Sequence, residues 1–136
     1  FLSMVAGLAN VLYIYAGLPE TVLIQDSGAS SFSIGKEGLF YIVTGVFTSI
    51  NAMVFFFFCV FKKDIDFRAW FYGLITTMNI FFIVSFSFVG LFNSGERYDY
   101  SSINFIIFGS ITLFVLWALG WPFYSFIRKS KHNQLV

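Results

Sequence analysis

Four long stretches of this chain contain no Asp, Glu, Lys, Arg or His: residues 1–18, 39–61, 69–92 and 103–127. A helix needs about 20 apolar residues, at 1.5 Å rise each, to cross a hydrocarbon core roughly 30 Å thick. The last three stretches meet that length, and the first is slightly short. Water is absent at that depth, so every backbone N–H and C=O must be satisfied within its own segment. The runs therefore predict helices.

Composition agrees. Only 11% of the 136 residues are charged, against about 25% in soluble domains. The expected fold is an all-α membrane protein. It has one domain, 1–136, with four transmembrane helices in an antiparallel left-handed bundle joined by short loops. The run at 1–18 lacks a basic start and a good small-x-small site at its end, so it reads as a true span, with a retained signal-like segment as the alternative.

Charge sets the orientation. Residues 20–37 hold Glu20, Asp26 and Glu37 with Lys36, and residues 93–102 hold Glu96, Asp99 and Arg97. Lys62, Lys63 and Arg68 crowd the second connection, and Arg128, Lys129 and Lys131 follow the fourth run. Cytoplasmic loops collect Lys and Arg. Those six basic residues are expected at the cytoplasmic membrane surface, with both termini cytoplasmic and the other two loops outside. Trp70, Tyr72, Trp117, Trp121 and Tyr124 suit the inner headgroup layer, and Tyr41, Tyr98 and Tyr100 the outer one. Pro122 removes one rung of the helical ladder and predicts a kink, after which Lys129 and Lys131 lie along the interface.

Three amides mark where the helices meet. Asn10, Asn51 and Asn79 each sit near the middle of a run. Asn51 lies about 18 Å from the outer edge and Asn79 about 15 Å from the inner edge, so the three are expected at one level. Small and polar residues at heptad spacing predict the contact stripes. They are Ser3, Gly7, Asn10, Ile14 and Gly17 in the first run, and Tyr41, Gly45, Thr48 and Ala52 in the second, with Thr44 and Asn51 flanking that stripe. The third carries Tyr72, Thr76, Asn79, Ile83, Ser87 and Gly90. The fourth carries Gly109, Thr112, Leu116 and Gly120. Asn10, Asn51, Asn79, Thr48 and Thr76 form the candidate cluster, read either as polar glue between helices or as a small polar ligand cavity.

The first outer loop alternates at Phe32-Ser33-Ile34 after a β-branched start at Thr21 and a small, turn-like middle, which predicts a short hairpin on the bundle. It serves as an ordered connector or as a docking surface.

Reactive chemistry is sparse. One cysteine, Cys59, permits no internal disulfide, and the single histidine, His132, lies in the tail. No catalytic site is expected, no cofactor and no metal site, and nothing suggests nucleic acid. The expected partners are the lipid bilayer and either larger membrane proteins or further copies of the chain. The leading expectation is a non-catalytic subunit or scaffold in a membrane complex. The alternative is a small oligomeric carrier, channel or lipid-handling protein working through the Asn/Thr cluster. With no N-glycosylation sequon and no cysteine pair in the outer loops, a bacterial inner membrane is favoured over an organelle membrane.

Overall fold

A computed structural model describes residues 1–26, 31–60, 64–95 and 100–133. Lys62, Lys63, Glu96, Arg97, Tyr98 and Asp99 lie outside the described residues. The elements in chain order are α1 (Leu2–Gly17), β1 (Thr21–Asp26), β2 (Ser31–Gly35), α2 (Lys36–Val60), α3 (Ile65–Phe92) and α4 (Tyr100–Asn133). Three segments are long and apolar enough to cross a membrane: Lys36–Val60, Ile65–Phe92 and Ile103–Ile127. The chain is thus a helical, membrane-embedded protein. α1 is apolar but has 16 residues, about 24 Å of helix, and falls short of the length expected for a first span.

Local chemistry sets the helix ends. Pro19 disfavours the helical region for the residue before it, and Leu18 is extended, at φ −72° and ψ 143°. α3 starts at Ile65, one turn before its apolar run, because Asp64 caps it. The Asp64 carboxylate accepts the Phe67 backbone N–H at 2.9 Å, a cap that stabilises a helix by about 1 kcal/mol. Asp66 lies in the first turn, where a carboxylate complements the helix dipole. α4 continues through Pro122 to Asn133 as one helix.

The hairpin is antiparallel, from Thr21 opposite Gly35 to Asp26 opposite Ser31, with a bulge at Ile24 between the Leu23 and Gln25 pairings. The Lys36 N–H donates to the Glu20 carbonyl at 2.9 Å and leads directly into α2. Val22 is fully buried with Val11, Leu18, Leu39 and Phe86. The hairpin therefore plugs one end of the helix group with apolar side chains.

α3 is the central helix. Thr77 and Asn79 are both buried although they point about 200° apart on a helix, since α3 packs against α1, α2 and α4. α4 packs on α3 alone among the described residues. The contacts give each pair its register. Between α1 and α2, Gly7 meets Phe47 and Tyr15 meets Phe40. Between α2 and α3, Phe47 meets Phe82 and Phe57 meets Phe71. Ser3 and Asn10 of α1 pair with Asn79 and Ser87 of α3. Phe67 meets Trp121 across α3 and α4.

Two of the expected stripes are displaced. On α2, Tyr41, Gly45, Thr48 and Ala52 are exposed, and the packed face runs through the flanking Thr44 and Asn51 with Phe40, Val43, Phe47 and Val54. On α4, Gly109, Thr112 and Leu116 are exposed, Gly120 lies beside Trp70 of α3, and Ile103, Ile107, Ser110, Phe114, Ala118, Trp121 and Ser125 turn inward with the Trp117 indole. The reason is complementarity. A notch on one helix takes a bulky knob from its neighbour, so a seam is small on one side only. A Cβ on Gly7 would collide with the Phe47 ring, one on Gly73 with the Trp117 indole, and one on Gly90 with Ile14.

Candidate functional site

The polar side chains between the helices occupy two tiers. In the first, the Asn51 and Asn79 amides face each other. Asn51 Nδ2 donates to Asn79 Oδ1 at 3.0 Å, and Asn79 Nδ2 donates to Asn51 Oδ1 at 2.9 Å. The remaining N–H of Asn51 reaches the Phe47 carbonyl one turn earlier at 2.9 Å. That of Asn79 reaches Ser3 Oγ on α1 at 3.1 Å. All four amide N–H groups of the pair are therefore used, and Asn79 is 1% exposed. The tier ties three helices together.

The second tier is Asn10 with Ser87, Nδ2 to Oγ at 2.8 Å. It lies seven residues further along α1 than Ser3, or about 10 Å. The three asparagines thus do not meet at one level, because Ser3 rather than Asn10 is in register with Asn79. Asn10 Oδ1 and Thr44 Oγ1 are buried with no hydrogen-bond partner. Thr48 faces outward, and the Thr76 hydroxyl donates to the Tyr72 carbonyl of its own helix at 2.9 Å. Neither threonine joins the amide pair by a hydrogen bond to it. Ser3 and Ser87, members of the small-polar stripes, supply the partners instead.

A third polar contact clamps α4. Trp70 Nε1 donates to the Trp117 carbonyl at 2.8 Å, and Trp117 Nε1 donates to the Trp70 carbonyl at 2.9 Å. Gly73 leaves the room that the Trp117 indole fills. Sequence reasoning assigned both tryptophans to the headgroup layer. A glycine one turn after Trp70 was the available signal for a close helix approach.

Asn93 was also missed. It follows α3, and its side chain acts as an extra peptide group on β1. Oδ1 accepts the Leu23 N–H at 2.8 Å, and Nδ2 donates to the Leu23 carbonyl at 3.0 Å. The signal was an amide in an Asn-Ser-Gly turn at the end of an apolar run.

Of the basic residues, Arg68 is described in full. Its guanidinium lies 4.5 Å over the Phe58 ring, and Nη2 donates to Tyr72 Oη at 3.3 Å. Arg128, Lys129 and Lys131 are in the last turns of α4, and their side chains lie outside the description. A cavity of about 430 Å³ adjoins the first amide tier, bounded by the start of α1 and by α2 and α3. Among the described residues, no three His, Cys, Asp or Glu side chains converge as a metal site. Comparison with protein-family models, curated proteins and solved structures gives no match.

Proposed function

We propose that this chain is a non-catalytic integral membrane subunit, an antiparallel left-handed bundle with both termini cytoplasmic, that packs against larger partner proteins. One observation carries the reading. The Asn51–Asn79 pair uses all four of its amide N–H groups within the protein, which is the chemistry of glue. Interhelical hydrogen bonds of this kind contribute about 0.6 kcal/mol on average and up to about 1.7. The attachment of α4 through α3 alone supports it further, since it leaves most of an apolar helix available to a neighbour. A bacterial inner membrane is the favoured setting.

Purification in a gentle detergent, with native mass determination, tests this. Larger proteins retained in fixed stoichiometry are expected. A stable homo-oligomer that carries a solute across vesicles would overturn it. Orientation is tested in a Cys59→Ser background. Ser33→Cys is expected to react with an impermeant thiol reagent from outside, and Ile65→Cys only after permeabilisation.

The orphaned Asn10 Oδ1 and Thr44 Oγ1 favour a second reading, a small oligomeric carrier, channel or lipid-handling protein. Asn10→Leu separates the two. A subunit loses stability or assembly, and a carrier stays assembled and loses one flux.

A further inference from the structure

The hairpin has two edges, and the fold closes one of them. On β1, the Asn93 side chain takes both backbone groups of Leu23, accepting its N–H at 2.8 Å and donating to its C=O at 3.0 Å. Those groups therefore point away from β2, and the Leu23–Ser33 pairing is one without mutual hydrogen bonds. The Ser33 N–H and C=O then point away from β1. Ser31 and Gly35, two residues to either side, share that direction. Among the described residues, no turn or loop hydrogen bond reaches the Ser33 backbone. Ser31, Ser33 and Gly35 are exposed, and a Cβ on Gly35 would meet open space. Natural sheets blunt an open edge with lysine, proline or a bulge. The bulge here lies on β1, and Ser31–Gly35 contains neither Lys nor Pro.

β2 matches a second copy of itself. In an antiparallel pairing of two β2 strands centred on Ser33, the Ser33 backbones exchange both of their hydrogen bonds, and each Gly35 N–H faces a Ser31 carbonyl. Phe32 of each copy lies opposite Ile34 of the other, and aromatic–β-branched pairs of this kind stabilise a sheet. Phe32 is 60% exposed, so the pairing covers an apolar ring that the single chain leaves open. Charge agrees. The end of one β2, followed by Lys36 and Glu37, comes beside the start of the other, preceded by Ala29 and Ser30, and no like charges meet. Symmetry agrees as well. The face that carries Val22 and Ile34 rests on the helix ends, where Val22 is buried with Leu18 and Leu39. The two-fold axis of the pairing is perpendicular to the sheet and so runs along the helices. Both copies then stand the same way up in one membrane, as a closed two-fold dimer requires.

We propose that two copies of this chain pair edge to edge through β2, joining their two-stranded hairpins into one continuous sheet across the dimer. The pairing does not depend on the docking of larger proteins.

The test uses the whole chain in phosphatidylcholine vesicles. In a Cys59→Ser background, Ser33→Cys places two thiols across the axis, where Cα atoms about 5.5 Å apart suit a disulfide. Mild oxidation is expected to give covalent dimers. Thr21→Cys, exposed on the β1 edge, lies three strand spacings or more from its counterpart, about 14 Å, and is expected to stay monomeric. Ser33→Pro removes the outward N–H and spares the hairpin ladder, in which that N–H takes no part. It should lower the association constant about thirtyfold, the worth of two backbone hydrogen bonds, as read by energy transfer between labelled copies diluted in lipid. The Leu23 amide should stay protected from exchange, which shows that the hairpin is intact. Phe32→Ser should weaken association about fivefold through the lost cross-strand pairs. Equal cross-linking of Ser33→Cys and Thr21→Cys would mean random collision and overturn the proposal. So would a dimer that Ser33→Pro leaves unchanged, or an unaltered chain that stays monomeric when crowded in lipid. Disulfides from Ser33→Cys to another polypeptide in the source membrane, in place of a second copy, would also overturn it.

Discussion

Trp70 and Trp117 each donate an indole N–H to the other's backbone carbonyl, at 2.8 and 2.9 Å, across the one interface that holds α4 among the described residues. The exchange is symmetric although the helices differ in sequence. The indole of Trp117 fills the gap above Gly73, so a close helix approach and two hydrogen bonds depend on the same residues.

Replacing either tryptophan by phenylalanine keeps a ring and removes one bond. Each substitution is expected to lower stability by about 1 kcal/mol. Gly73→Val forces the indole out and should have a larger effect, releasing α4 from α3. Cysteine cross-linking between Ala69 and Gly120 variants reports the separation, and unchanged cross-linking in Gly73→Val would remove the clamp from the account.

The amide pair should behave as a unit. Asn51→Leu leaves Asn79 buried with unmet hydrogen-bond capacity, and an orphaned buried polar group costs about 1–3 kcal/mol. The double variant Asn51→Leu, Asn79→Leu removes both partners and is expected to be less unstable than the sum of the single ones. Unfolding in mixed micelles measures the cycle. Strict additivity would mean that the two amides do not interact.

Gly7 is a notch for Phe47, which is 1% exposed. Gly7→Val overpacks the seam, and such changes typically cost about 1–3 kcal/mol. Adding Phe47→Leu makes room and should recover part of the loss. An equally unstable double variant would show that Phe47 is not the colliding group.

Asn93→Ala removes two hydrogen bonds to Leu23 and one to the Val89 carbonyl. The hairpin is then held by Val22 and its apolar neighbours. Amide exchange at Leu23 should rise by roughly tenfold, for a loss of about 1.4 kcal/mol in local opening, with little change in the middle of α3. Uniform loosening of α3 would assign Asn93 to the stability of that helix instead.

The helices were readable because they follow from a local rule. A run without charge, placed where water is absent, must satisfy its own backbone, and no neighbour is needed to say so. The hairpin alternation is local in the same sense. The cap at Asp64 is not local in this sense, because a cap is defined by the N–H group that the side chain reaches.

The candidate site was readable in part. Asn51 and Asn79 were placed at similar depth from the ends of their own runs, and they meet. Asn10 was placed the same way and pairs elsewhere, because the offset of α1 against α3 puts Ser3 beside Asn79. Depth within a run is a property of one segment, whereas register belongs to two. The same distinction governs the contact stripes. Gly7, Asn10, Ser87 and Gly90 lie at seams as expected, and Gly120 lies beside Trp70, but Gly45 and Thr48 face outward. The sequence by itself determined the helices, their apolar character and the polar residues available for pairing. Only the tertiary structure decided which notch receives which knob, because a close-packed seam depends on the shapes of both faces at once.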